Sequence, residues 1–89
     1  MTEDRDTRLK RLRMRSWHRG IKEMDMILGR FADEMISSLS DAELDAHEIM
    51  MAEQDHDLYM WVLDRESPPD ALKSAISRLR QHFLSKNIS

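Results

Sequence analysis

The side chains able to hold a metal or move a proton are few in this chain, and their spacing excludes the familiar chemistries. His47-Glu48-Ile49-Met50-Met51 opens like the helical motif of a zinc peptidase, in which two histidines four residues apart share the metal. Met51 stands where the second histidine must be, so that chemistry is excluded. His18, His47, His56 and His82 lie in four separate segments, where surface or packing roles are the usual ones. Asp55-His56-Asp57 has the composition of a ligand cluster, but neighbours in sequence point in different directions, and a helix start with ordinary solvation explains it better. The absence of cysteine removes thiol nucleophiles, iron–sulfur ligation and disulfides. The two glycines, Gly20 and Gly29, cannot build a phosphate-cradling loop or a dinucleotide fingerprint. A non-enzyme is expected, with no catalytic, metal-binding or cofactor-binding residue of its own.

What remains is Arg19-Gly20-x-x-Glu23-x-Asp25. Gly20 is free to take backbone conformations closed to other residues, so it can turn the chain between two helices and let another backbone come close. Arg19 offers a planar fork of donors, and Glu23 falls where a helix N-terminus favours negative charge. Two readings stay open. The motif serves as a corner with a capping acid, or it is a docking surface.

The elements that position this corner follow from hydrophobic spacing. Residues 1–6 are polar and expected to fray. From Thr7, Leu9, Leu12 and Met14 predict a short helix ending near His18, with an apolar stripe too thin to persist undocked. Ile21, Met24, Leu28, Phe31 and Met35 alternate in steps of three and four and predict an amphipathic helix over about 21–37. Gly29 lies inside it at a cost of ~1 kcal/mol relative to alanine, a sign of close packing against a neighbour. Ser40-Asp41-Ala42-Glu43 has the form of a capping box and starts a third helix running to about Ala52. Asp55 is placed to cap a short fourth helix carrying Leu58, Trp61 and Val62, and Ser67-Pro68-Pro69-Asp70 to open a fifth carrying Leu72, Ala75, Ile76, Leu79 and Phe83. No stretch alternates with period two. The expectation is an all-α, compact single-domain bundle of about five short helices over residues 1–89, with its helical part at 8–84.

Composition bounds the function further. Of the 89 residues 40% are hydrophobic and 35% charged, which is neither disordered nor membrane-like, and the size suits an adaptor better than a self-sufficient enzyme. The N-terminus has neither a secretory core nor the acid-poor character of a transit peptide, so a cytoplasmic location is expected. The net charge of −3 conceals three blocks: residues 1–19 hold seven basic and three acidic residues, 20–70 three and fourteen, and 71–89 four and none. Such blocks neutralise one another within a fold or steer partners. A nucleic-acid-binding or antitoxin-like regulator using Arg5, Arg8, Lys10, Arg11, Arg13, Arg15 and Arg19 is the alternative class, although the acidic middle opposes it. Eight methionines serve as core filler or as an adaptable contact surface, core being the commoner use. A carrier of free flavin using Trp17, Tyr59 and Trp61 is a third class, and each of these aromatics is more readily a core or interface residue.

Over residues 8–63 the chain resembles the succinate dehydrogenase assembly factors that promote flavin attachment. The resemblance is carried by Arg13-x-Arg15-Ser16, Arg19-Gly20-x-x-Glu23-x-Asp25, Leu28 and Phe31, Leu39-Ser40-x-x-Glu43, and Asp55-x-Asp57-Leu58-x-x-Trp61. Two departures stand out: His47 where relatives usually carry phenylalanine, and Met50-Met51 where they often carry leucines. The resemblance implies a five-helix bundle that binds the flavoprotein subunit of succinate dehydrogenase, often also that of fumarate reductase, and aids covalent linkage of FAD to a histidine of that subunit. No cofactor would be bound stably by the chain itself. It also implies that Arg19, Gly20 and Glu23 form the partner-binding surface with Asp25 in support, Arg19 pairing with a polar group of the partner.

Overall fold

A computed structural model describes residues 3–87, and every statement of structure below concerns those residues. Among them are five α-helices, α1 (Arg5–Ser16), α2 (Lys22–Met35), α3 (Asp41–Met51), α4 (Asp55–Val62) and α5 (Lys73–Asn87), with single 3-10 turns at Ile36–Ser38 and Asp70–Leu72 and no strand. The all-α expectation is met. Of the expected fraying stretch, Met1 and Thr2 lie outside the described residues, while Arg5 and Asp6 already belong to α1. That helix starts two residues before Thr7 because the Asp4 carboxylate accepts the Thr7 backbone N–H at 2.7 Å.

Helix α2 is the centre of the bundle and packs against α1, α4 and α5. Its stripe of Met24, Ile27, Leu28, Phe31 and Ala32 is buried, and it joins Leu9 and Leu12 of α1, Leu44, Met50 and Met51 of α3, Leu58, Trp61 and Val62 of α4, and Ala75, Ile76 and Leu79 of α5 in one core. The paired methionines of α3 are thus core filler, whereas Met14 and Met26 are exposed. Helix α1 contributes only two core leucines and packs on α2, and charge ties it to α3 as well. Arg5 pairs with Asp41 at 2.7 Å, Arg8 with Asp45 and Glu48 at 2.8 and 3.0 Å, and Arg11 with Glu48 at 2.9 Å. These partners advance in the same direction along both helices.

The capping box forms as read: the Ser40 hydroxyl accepts the Glu43 N–H and the Glu43 carboxylate accepts the Ser40 N–H, which holds that carboxyl below its usual range. Two expected caps do not form. Gln54, not Asp55, precedes α4, and no side chain caps it, because the Asp55 carboxylate is engaged elsewhere. The Pro68-Pro69 stretch stays extended, so Ser67 caps nothing and a 3-10 turn from Asp70 precedes α5. Helix α4 ends with Asp64 at φ 61°, the left-handed position, and the Arg65 N–H reaches the Met60 carbonyl at 2.9 Å.

His47 is fully buried, its ring stacked on Phe31 at 4.9 Å between centroids, and neither ring nitrogen has a hydrogen-bond partner. Desolvation, with the nearby Arg78 charge, pushes its pKa down to about 4. His82 meets the same phenylalanine edge-on at 5.4 Å.

Candidate functional site

The turn between α1 and α2 gathers the residues singled out in the sequence. Helix α1 closes where the Trp17 and His18 N–H groups bond to the Arg13 and Arg15 carbonyls, both at 3.2 Å. The chain then reverses through Gly20 at φ 106°, a conformation that a side chain strains, and the space where a Cβ would project is open to 4 Å. Gly20 therefore faces outward. Its bareness leaves backbone accessible at a corner that only glycine occupies without strain.

Arg19 anchors that corner from within. Its Nε donates to Asp55 Oδ1 at 2.8 Å, Nη1 to the Met51 carbonyl at 2.5 Å and Nη2 to the Glu53 carbonyl at 2.8 Å, while its backbone N–H donates to Asp25 Oδ1 at 2.5 Å. One residue thus satisfies the carbonyls left open at the end of α3 and ties them to the starts of α4 and α2. The Arg19 and Asp55 side chains are 11% and 12% exposed. The guanidinium expected to face a partner is turned inward, because the end of α3 supplies acceptors within its reach. The Asp25 carboxylate, through the Arg19 backbone N–H, ties the start of α2 to the corner. Glu23, on the exposed face of the first turn of α2, makes no side-chain bond among the described residues.

Sequence reasoning missed two members of this structure. Trp17 lays its indole over Gly29, where an added Cβ would collide with the ring, and its Nε1 donates to Asp33 Oδ2 at 3.2 Å. Gly29 had announced a close neighbour without naming it. Asp55, read as a cap, is the carboxylate partner of Arg19; its place in the same set of motif residues was the available signal. Around Gly20 the surface is apolar and cationic, with Met14, Trp17 and Ile21 exposed and a shallow basin of about 360 Å³ lined by Met14, Arg15, His18 and Arg19. Among the described residues no three His, Asp or Glu side chains are grouped to hold a metal, and no helix is long and apolar enough to cross a membrane.

Fold and corner together define a small helical protein that presents a braced, outward-facing glycine turn. The chain belongs to the family described as the flavinator of succinate dehydrogenase, whose model matches residues 10–83. It is similar to the mitochondrial succinate dehydrogenase assembly factor 2 of Meyerozyma guilliermondii, 44% identical over 59 residues that make up 66% of this chain and 44% of that protein. It is also similar to the protein of that name from Dictyostelium discoideum, 30% identical over 73 residues, 82% of this chain and 52% of the relative. The chain thus spans about half the length of these two relatives. No solved structure matches it.

Proposed function

We propose that this chain is an assembly factor that binds the flavoprotein subunit of succinate dehydrogenase, and that of fumarate reductase, and promotes covalent attachment of FAD to it. The flavin supplies the electrophile and the partner supplies the nucleophilic histidine. The factor therefore needs no catalytic group and no stably bound cofactor; it has to favour the geometry in which the two meet. The observation that carries this reading is the Gly20 corner, bare of side chain, exposed and braced by Arg19 and Asp25 in a chain of this family. Gly20 and Glu23 form the contact surface, and Arg19 and Asp25 hold it in shape. The relatives are named as mitochondrial proteins; the location proposed for this chain is the cytoplasm, which fractionation of cells against the flavoprotein subunit checks.

The test is covalent flavin on the denatured flavoprotein subunit, read as in-gel fluorescence after incubation with FAD alone, with FAD plus this protein, and with its Gly20→Arg and Glu23→Ala variants. The native chain is expected to raise the signal, and both variants to return it toward the level of FAD alone. Equal signal in every lane overturns the reading. Because any side chain at φ 106° is strained, melting temperatures accompany the assay, and the unstrained Glu23→Ala variant decides if Gly20→Arg has unfolded.

A further inference from the structure

The outer face of α2 continues from the corner into a groove of about 180 Å³, walled by Glu23, Met26 and Arg30 on one side and by Tyr59 and Phe83 on the other. Its charged and polar groups fall into two kinds. Lys86 Nζ and His82 Nε2 both lie against Glu34 Oε1, at 2.8 and 3.1 Å, and are engaged within the fold. Glu23 and Arg30 make no ion pair or side-chain hydrogen bond among the described residues, and both are exposed. Seven residues apart, they stand two turns from each other on one helix face, about 10 Å along its axis. Between them Met26 is 37% exposed, and beyond Glu23 at the corner Ile21 is 41% exposed.

We propose that this groove seats a segment of the flavoprotein partner that inserts one large apolar side chain, with a basic group facing Glu23 and an acidic group about 10 Å away facing Arg30. The inference rests on the docking reading above and extends it from the corner along α2. Unpartnered opposite charges at the two ends of an apolar recess fix both the direction and the register of an incoming segment, which is the work electrostatic complementarity does at interfaces. Gly20, Ile21, Glu23, Met26 and Arg30 form a continuous path, so one partner can cover corner and groove together. A second copy of this chain could pair Glu23 with Arg30 in both directions across a two-fold axis, but it would set recess against recess rather than supply a segment to fill one, so the partner segment is the better occupant and self-association is an outcome of the test.

The test is calorimetric titration of the purified flavoprotein subunit with the native chain and with Arg30→Glu, Arg30→Lys and Met26→Asp variants, alongside their melting curves and sedimentation. Charge reversal and the buried carboxylate are each expected to weaken binding by about tenfold or more, and Arg30→Lys to stay within about threefold of native, with melting temperatures preserved. Native affinity in both Arg30→Glu and Met26→Asp overturns the groove while leaving the docking reading intact. No binding by the native chain overturns that reading and the groove with it. A native dimer that Arg30→Glu dissociates, without change in partner affinity, assigns the groove to self-association and also overturns the proposal. Should Met26→Asp lower the melting temperature, the solvent-exposed Arg30 pair carries the decision.

Discussion

A histidine with both ring nitrogens buried and unpartnered stabilises this fold only while it is neutral. The pKa of His47 falls from the ordinary 6.5 to about 4 on folding, chiefly through burial, with the Arg78 cation adding to the effect and Glu48 opposing it. The unfolded chain therefore takes up the proton first. The stability held by neutral His47 is complete above about pH 6.5 and is lost as pH falls toward 4, about 3 kcal/mol in all and about 2 kcal/mol by pH 5. Thermal melts at pH 7.5 and 5 are expected to show that loss in the native chain and to lack most of it in His47→Phe, which keeps the stack on Phe31. An equal pH slope in the variant would assign the titration to other groups. Gly29 makes a second residue-scale case. Gly29→Ala gains up to about 1 kcal/mol of helix propensity but drives out the Trp17 ring and breaks its bond to Asp33, for a net loss of about 1–2 kcal/mol. In a Trp61→Phe background the emission of Trp17 is expected to shift to the red; an unshifted spectrum with a raised melting temperature would show that the ring holds nothing in place.

At the scale of elements, Arg19 and Asp55 decide how α2, α3 and α4 meet. Truncating one partner of a largely buried, hydrogen-bonded pair strands the other, so Arg19→Ala and Asp55→Ala are each expected to cost about 3 kcal/mol. The double variant should fall short of their sum by about 1–3 kcal/mol, the coupling read from a denaturant double-mutant cycle. Arg19→Lys should rescue little, since a point charge cannot serve a carboxylate and two carbonyls at once. Additive losses would mean that the two side chains act independently. This pair also marks the boundary of what the sequence displays. Local signals were legible: the apolar stripe of α2, the Ser40–Glu43 capping box and the turn at Gly20 each depend on residues within a few positions of one another. The inward aim of Arg19 was not, because its acceptors are 32 to 36 residues away and two of them are backbone carbonyls, which no residue type advertises. The missing cap at Ser67 has the same origin. Pro68-Pro69 holds the chain extended past the point where the serine would have served, and α5 takes its start from packing of Leu72, Ala75 and Ile76.

The charge blocks make sense only for the molecule as a whole. Each of the four basic residues in 71–89 pairs with an acid of the middle block: Lys73 with Asp70, Arg78 with Glu43, Arg80 with Asp64 and Lys86 with Glu34. On the other side Arg5, Arg8, Arg11 and Arg19 are bound to Asp41, Asp45, Glu48 and Asp55. The two basic ends thus grip the acidic middle from both sides. Of the N-terminal basic residues only Lys10, Arg13 and Arg15 make no ion pair among the described residues. Each exposed pair is worth little alone, but together they spend the cations that a nucleic acid would require. Three phosphate contacts give a salt slope no steeper than about −3 in log affinity against log salt, and binding that weak is lost at physiological ionic strength. Fluorescence anisotropy with a labelled duplex of about two turns, from dilute buffer to 0.2 M salt, is expected to show weak association at the bottom of the series and none at the top. A slope of −6 or steeper would mean that arginines now held by α3 transfer to phosphates, and the basic arm would then be a binding surface stored as internal ion pairs.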